Sequence, residues 1–179
     1  MRIRPTQIDD LPQLLQIYET ARRFMVETGN GGQWVDGYPK EELLLEDIAS
    51  ERSYVCLDGD NGIVGTFYFR VGEEPTYLEI FDGAWLDDAP YGVIHRIASS
   101  GKRKGVAQAC IAWCLEQCGN IRIDTHRDNR VMQHILNKIG FSYCGIIYLE
   151  NGAERLAYQY SIRPATPENR ISRMGSTFL

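Results

Sequence analysis

The stretch YGVIHRIASSGKRKGVAQACIAWCLEQCGNIRIDTH, residues 91–126, constrains the fold more than any other part of the chain. It begins with a β-branched, apolar run, YGVIHRIASS, that reads as a strand. It breaks at a turn carrying two glycines and three consecutive cations, Lys102, Arg103 and Lys104. It resumes as a helix, GVAQACIAWCLEQC, apolar over so much of its circumference that it has to be buried. NIRIDTH then reads as a second strand. A strand–helix–strand unit within one sheet closes almost always with a right-handed crossover. The strands at 91–98 and 121–126 are therefore expected as parallel neighbours.

The flanking sequence surrounds this unit with hairpins and amphipathic helices. RIRPTQ alternates as a short strand. Leu11, Leu14, Leu15 and Tyr18 then recur at helical spacing, with Asp9 or Asp10 placed to cap and Pro12 tolerated in the first turn. GNGGQWVDGYP is a loop whose Trp34 and Tyr38 are a pocket wall or simple anchors. KEELLLEDIAS is a second helix. SYVCLD and GIVGTFYFRV flank GDNG, a hairpin turn signal. After the central unit, Met132, Ile135, Leu136 and Ile139 mark a helix that Gly140 ends. The segment 142–162 reads as a hairpin turning at Asn151-Gly152. The order is β, α, α, β, β, β, α, β, α, β, β, a mixed α/β (α+β) arrangement. Residues 1–163 read as one domain and 164–179 as a C-terminal tail.

Charge and cysteine usage exclude several classes. The net charge of -5 disfavours a nucleic-acid partner, which calls for a basic face. No apolar run is long enough to span a bilayer and the N-terminus has no signal-peptide core, so no membrane partner and a cytoplasmic location are expected. Five cysteines without a secretion signal argue against a disulfide framework. Cys110, Cys114 and Cys118 share one helical face. They read as packing residues, because three thiols along one helix diverge along its axis and no fourth ligand is evident, so no metal is expected.

A strand that ends in a glycine turn and opens a helix leaves backbone N–H groups pointing outward, at the positive end of the helix dipole. That combination favours phosphate. GKRKG lacks Walker spacing and the chain has no GxGxxG, so neither an NTP site nor a dinucleotide fold is supported. The segment KRKGVA, 102–107, resembles the (Arg/Gln)-x-x-Gly-x-(Gly/Ala) signature of the GNAT family of N-acetyltransferases, with Lys102 where Arg or Gln is usual. Downstream, IRIDTH, Asn129 and ILNKIGF resemble a second family hallmark.

The resemblance implies a GNAT fold: a central, mostly antiparallel sheet of about seven strands with a splayed parallel pair, flanked by about four helices. It implies acetyl-CoA as co-substrate, with its pyrophosphate on Lys102, Arg103, Lys104, Gly105, Val106 and Ala107. The pantetheine arm would lie along Ile97, Ala98 and Ser99 of a bulged strand, and Asn129 would contact pantetheine or the acetyl end. The activity implied is acetyl transfer to a primary amine of a small molecule or peptide by direct attack. A catalytically weak CoA-binding sensor is the alternative, and a homodimer is possible on either reading.

Catalytic residues are harder to assign. The family's acid, a Tyr two places before the Lys-x-Gly-Phe stretch, is replaced here by Leu136. Tyr143 and His126 are the nearest substitutes by position. His95 leads as base because an imidazole titrates near neutrality, followed by Tyr91 and Glu79. Strand alternation would put Arg96 on the face opposite His95. Glu73, Glu74, Glu79, Asp82, Asp87 and Asp88 either attract a cationic amine or form a solvated loop. Trp85 either lines the acceptor pocket or fills the core.

Overall fold

A computed structural model describes residues 1–162. The tail expected over 164–179, and residue 163 with it, lie outside the described residues. Among the described residues no helix is long and apolar enough to cross a membrane.

Among the described residues, seven strands and four α-helices follow in the expected order: β1 Arg2–Pro5, α1 Leu11–Glu27, α2 Glu41–Ala49, β2 Ser53–Leu57, β3 Ile63–Val71, β4 Gly92–Ser99, α3 Val106–Gln117, β5 Asn120–Thr125, α4 Arg130–Ile139, β6 Ser142–Tyr148 and β7 Glu154–Ser161. Short 3-10 turns cover Ile8–Asp10 and Pro75–Tyr77. The strands form one sheet in the order β1-β2-β3-β4-β5-β7-β6. Every pairing is antiparallel except β4 with β5. This is the expected GNAT architecture, with the central crossover supplying its parallel pair.

Each face of the sheet is covered by the helices whose apolar stripes match it. Leu14, Ile17, Tyr18 and Ala21 of α1 and Leu44 of α2 pack with Val55 and Leu57. Val106, Cys110, Ile111 and Cys114 of α3 and Leu136 of α4 pack with Cys56, Phe67 and Phe69. Val55 and Leu57 lie in one cluster and Cys56 in the other, as the two-residue period of a strand requires. Leu136 is fully buried. The slot that would carry the family's acid faces the core, where a leucine contributes roughly 1.5–3 kcal/mol by leaving water.

Local details depart from the simplest reading. Asp10 does not cap α1 with its side chain. Its carboxylate instead accepts from the Gln7 N–H at 2.7 Å and takes the Arg4 guanidinium in a bidentate pair, so it stabilises the 3-10 turn ahead of the helix. Cys110 and Cys114 are buried in the core, whereas Cys118 sits at the end of α3 and donates to the Asn120 carbonyl. In the acidic segment 73–88, Glu73, Glu79, Asp82 and Asp88 are exposed, whereas Glu74 and Asp87 are tied into the fold. Asp87 accepts from Asn120 Nδ2 at 2.9 Å and Ser161 Oγ at 2.8 Å, and Trp85 donates to the Tyr77 carbonyl while Arg122 stacks on its ring. The segment is thus a strap tied across β5 and β7, and Trp85 belongs to its packing.

Two features of β3 and β4 position the site. Gly65 of β3 faces the first turn of α3. A Cβ there would come within 2.3 Å of Val106 Cγ1 and 2.9 Å of the Ala98 carbonyl, so only glycine lets the helix seat this close to the sheet. In β4 the register with β3 slips. Tyr68 pairs with His95 and Thr66 with Ala98, so Arg96 and Ile97 together oppose Phe67. Arg96 has φ 54°, and the slip is a β-bulge. Its effect is visible in the core, where Ile94 packs on the α3 side and Ala98 on the α1 side although they are four residues apart.

Candidate active site

The bulge opens the cleft. β4 and β5 pair only over Gly92–Ile94 with Ile121–Ile123. Beyond that point β4 turns away, and a cavity of about 800 Å³ lies against the diverging ends. Ile97, Asp124, Thr125 and Asn129 line it on the cleft side; Trp34, Tyr38 and Tyr68 supply aromatic walls. The 28–40 loop is tied across this space. Trp34 packs edge-on against Tyr18 with centroids 5.7 Å apart, and Gln33 Oε1 accepts from Asn129 Nδ2 at 2.9 Å. Arg155 donates to the Gln33 carbonyl at 3.3 Å.

Just past β4 the cationic turn delivers the N-terminus of α3. Gly105 has φ 80°, a left-handed conformation that an L side chain adopts only at a cost, and a Cβ there would meet only Met1 Cε at 3.8 Å. The Ala109 N–H reaches back to the Gly105 carbonyl at 3.0 Å. The N–H groups of Val106, Ala107 and Gln108, ahead of it, have no helical carbonyl a turn behind them. Lys102, Arg103, Lys104 and Gly105 are exposed, and among the described residues the three cationic side chains make no ion pair or hydrogen bond. The Lys102 N–H is bonded to Ser100 Oγ at 3.3 Å and the Gly101 N–H to Ser99 Oγ at 3.2 Å. The outward-facing amides therefore start later in the turn than expected, and Lys102 has its ammonium to offer instead.

His95 lines the cavity and sits between two carboxylates. Its Nε2 lies 3.2 Å from Glu74 Oε2, and its Nδ1 lies 3.7 Å from Asp124 Oδ1. Burial pushes the Glu74 carboxyl up, but His95 and Arg70 outweigh it and bring it down to about 2. Asp124 accepts from the Tyr77 hydroxyl at 2.7 Å and faces Arg155 Nε at 3.8 Å. Arg96 does not point away from His95 as alternation predicts. Its guanidinium lies 4.6 Å over the Tyr68 ring, and the His95 ring is 5.6 Å from the same ring. The bulge turns Arg96 through its positive φ, so consecutive side chains line one cavity. Arg96 donates to Asp47 at 2.6 Å and to the Tyr38 hydroxyl at 3.1 Å. Burial raises the Asp47 carboxyl even against that cation.

The remaining candidates divide between the cavity and other parts of the fold. Asn129 caps α4, accepting from the Met132 N–H at 3.0 Å, and also reaches the cavity. Ala98 is buried beneath α1, and Ser99 pairs with Gly65. Tyr91 is a supporting residue, its hydroxyl accepting from the Glu74 N–H at 3.1 Å. Glu79 is exposed on a separate shallow groove beside Phe81 and Tyr148. Tyr143 is half exposed against Tyr158, outside the cavity lining. His126 lies beside Gly32 and Asp128, also outside it. Sequence reasoning missed Asp124, Tyr77, Arg155 and the Arg96–Asp47 pair. No local motif marks them, because they converge from β5, the 3-10 turn, β7, β4 and α2.

No family model and no curated protein matches the chain. Solved structures do. An acetyltransferase of the GNAT family from Streptococcus agalactiae is 34% identical, with 91% of this chain and 96% of that one aligned at a TM-score of 0.81. A GNAT-family acetyltransferase from Listeria monocytogenes is 16% identical over 90% of this chain and 94% of its own, at a TM-score of 0.66. A chain of the NatC complex bound to Gag peptide and CoA is 12% identical over 90% and 98%, at a TM-score of 0.58. The last two share the fold.

Proposed function

The chain belongs to the GNAT family of acetyltransferases, and from that premise we propose that it transfers acetyl from acetyl-CoA to a primary amine of a small molecule or peptide. The observation that carries this reading is the open β4–β5 cleft, with helix-terminal amides at one end and His95 in the cavity at the other. The donor set suits a CoA diphosphate. Gly105 leaves space for close approach, and the amides of Val106, Ala107 and Gln108 would hold the diphosphate with Lys102, Arg103 and Lys104, whose side chains are unpaired among the described residues. Ile97 and Asn129 line the cavity, where they would border the pantetheine arm. The fold relative that holds both CoA and a peptide supports this assignment.

Acetyl-CoA supplies an activated acyl group; the chain has to orient an amine and remove its proton. A lysine-type amine has a pKa of about 10.4, so it arrives charged. His95 is the base, held in the cavity wall by Glu74. The β4 bulge takes main-chain groups of Arg96 and Ile97 out of regular pairing, where an N–H can meet the negative charge developing on the thioester oxygen. Binding both reactants in one cavity contributes the rest, so weak acid–base catalysis suffices without the tyrosine that Leu136 replaces.

The test is thiol release from acetyl-CoA with a panel of amines. Acceptor-dependent release is expected, and His95→Ala should lower turnover more than it weakens CoA binding. CoA binding with no acceptor-dependent release would replace the enzyme reading by a sensor.

A further inference from the structure

His95 has both ring nitrogens facing carboxylates, an arrangement that a buried hydrogen-bonding histidine does not need. We propose that Glu74 fixes the His95 tautomer with its proton on Nε2, so that Nδ1 is the accepting atom, and that Tyr77 acts through Asp124 as a positioning residue for that atom. The inference deepens the base reading of His95 and rests on it.

The geometry assigns the two sides of the ring different tasks. Glu74 is ionised across the ordinary pH range and stands at hydrogen-bond distance from Nε2. A neutral imidazole has one N–H, and an ionised carboxylate 3.2 Å away takes it. The lone pair is left on Nδ1. Asp124 Oδ1 is 3.7 Å from that atom, too far for a direct hydrogen bond but close enough to stabilise positive charge there. When the amine gives up its proton, the proton arrives at Nδ1 and the imidazolium lies between two anions. Such contacts shorten once reactants are bound.

Asp124 is one of the last two residues of β5 paired with β7 and lies beyond the β4 pairing, so the cleft leaves one of its sides open. Tyr77 closes that freedom. It is fully buried, and its hydroxyl donates at 2.7 Å to the same oxygen that faces His95. Burial, with Asp124 beside it, pushes the Tyr77 phenol well above its ordinary value, so it remains a donor. Arg155 of β7 balances the other carboxylate oxygen.

The remaining charges around the ring come from every adjoining element. Tyr68 of β3 stacks beside it, Arg70 of β3 pairs with Glu74, and Asp47 of α2 reaches it while paired to Arg96 of β4. These are unchanged in the variants below.

The chain has three histidines, so selective 15N-histidine labelling gives three assignable rings, with His95→Ala identifying the signal. In the protein without substrates, the neutral His95 ring should carry its proton on Nε2. Asp124→Asn should move its titration midpoint down by about one pH unit. Tyr77→Phe, which keeps the buried ring, should shift it the same way by less. The Tyr77→Phe/Asp124→Asn double variant should match Asp124→Asn, because one residue acts through the other. The acid limb of kcat/KM should follow these shifts with the KM for acetyl-CoA unchanged.

A neutral ring protonated at Nδ1, or an Asp124→Asn ring titrating with wild type, overturns the inference while leaving His95 as base. Additive shifts in the double variant overturn the role of Tyr77. An acid limb that survives in His95→Ala overturns the base reading and this inference with it. Asp124→Asn is isosteric and carries the test if Tyr77→Phe fails to fold.

Discussion

Gly105→Glu is the sharpest probe of the phosphate assignment, because its cost to the fold and its cost to binding separate. The new Cβ meets only Met1 Cε at 3.8 Å, so packing is untouched. The left-handed φ of 80° remains, and holding an L residue there costs about 1–2 kcal/mol of stability. Gly105→Gln and Gly105→Ala incur the same backbone cost. Binding is different. A carboxylate about 5 Å from each charge of a diphosphate, in nearly aqueous surroundings, repels it by about 1 kcal/mol per charge. Two charges give about 2 kcal/mol, or roughly a 30-fold weaker Kd. Titration calorimetry with CoA should therefore place Gly105→Glu well below Gly105→Gln, and urea melts should place the two together. The difference should shrink as salt rises to about 0.5 M, since the charges are exposed. Equal CoA affinity for the Glu and Gln variants would refute the phosphate assignment, and a salt-independent difference would refute its electrostatic basis.

Arg96→Ala should destabilise the fold by about 3–5 kcal/mol in urea denaturation at pH 7, because it leaves the buried Asp47 carboxylate unpaired. Asp47 is raised in the folded state, so the fold holds its proton more tightly than the unfolded chain does. Stability therefore falls as pH rises through the folded value; losing Arg96 raises that value further, and the Arg96→Ala deficit should be smaller at pH 5 than at pH 7. Glu74 has the opposite sign. Lowered to about 2, its contribution is fully present above the unfolded carboxyl value of about 4.3 and should be lost as pH falls from there toward 2, a loss that Glu74→Gln removes from the acid melt. Gly65→Ala should cost about 1–3 kcal/mol, because Val106 and the Ala98 carbonyl would have to retreat from the new methyl. Gln33→Ala should cost about 1–3 kcal/mol in a urea melt and accelerate proteolysis within residues 28–40, since it removes the bond to Asn129 and leaves the buried Asn30 amide without its acceptor.

The order of elements was legible because each rests on local chemistry. Leu14 and Tyr18 recur at helical spacing, Asn151-Gly152 turns a hairpin, and Gly140 ends α4 in a left-handed conformation, φ 106°. The parallel β4–β5 pair was legible as well, since a short crossover through a buried helix leaves little alternative. Asn129, expected from the resemblance as a cofactor contact, lines the cavity and also caps α4. The cationic turn was legible as a helix mouth, but the loss of the Lys102 N–H to Ser100 depends on a side-chain rotamer.

The identities along residues 91–126 determined a buried crossover helix with a glycine and three cations at its mouth, because backbone valence and apolar periodicity act within a few residues. Tertiary structure alone decided which side chains share the cavity. A one-residue bulge reverses the facing of Arg96, and Glu74 and Tyr77 of one short turn meet Asp124 of β5 around His95, with Arg155 of β7 behind Asp124. Alternation predicts a side chain's direction only while the ladder is regular, and the site lies where that ladder is broken.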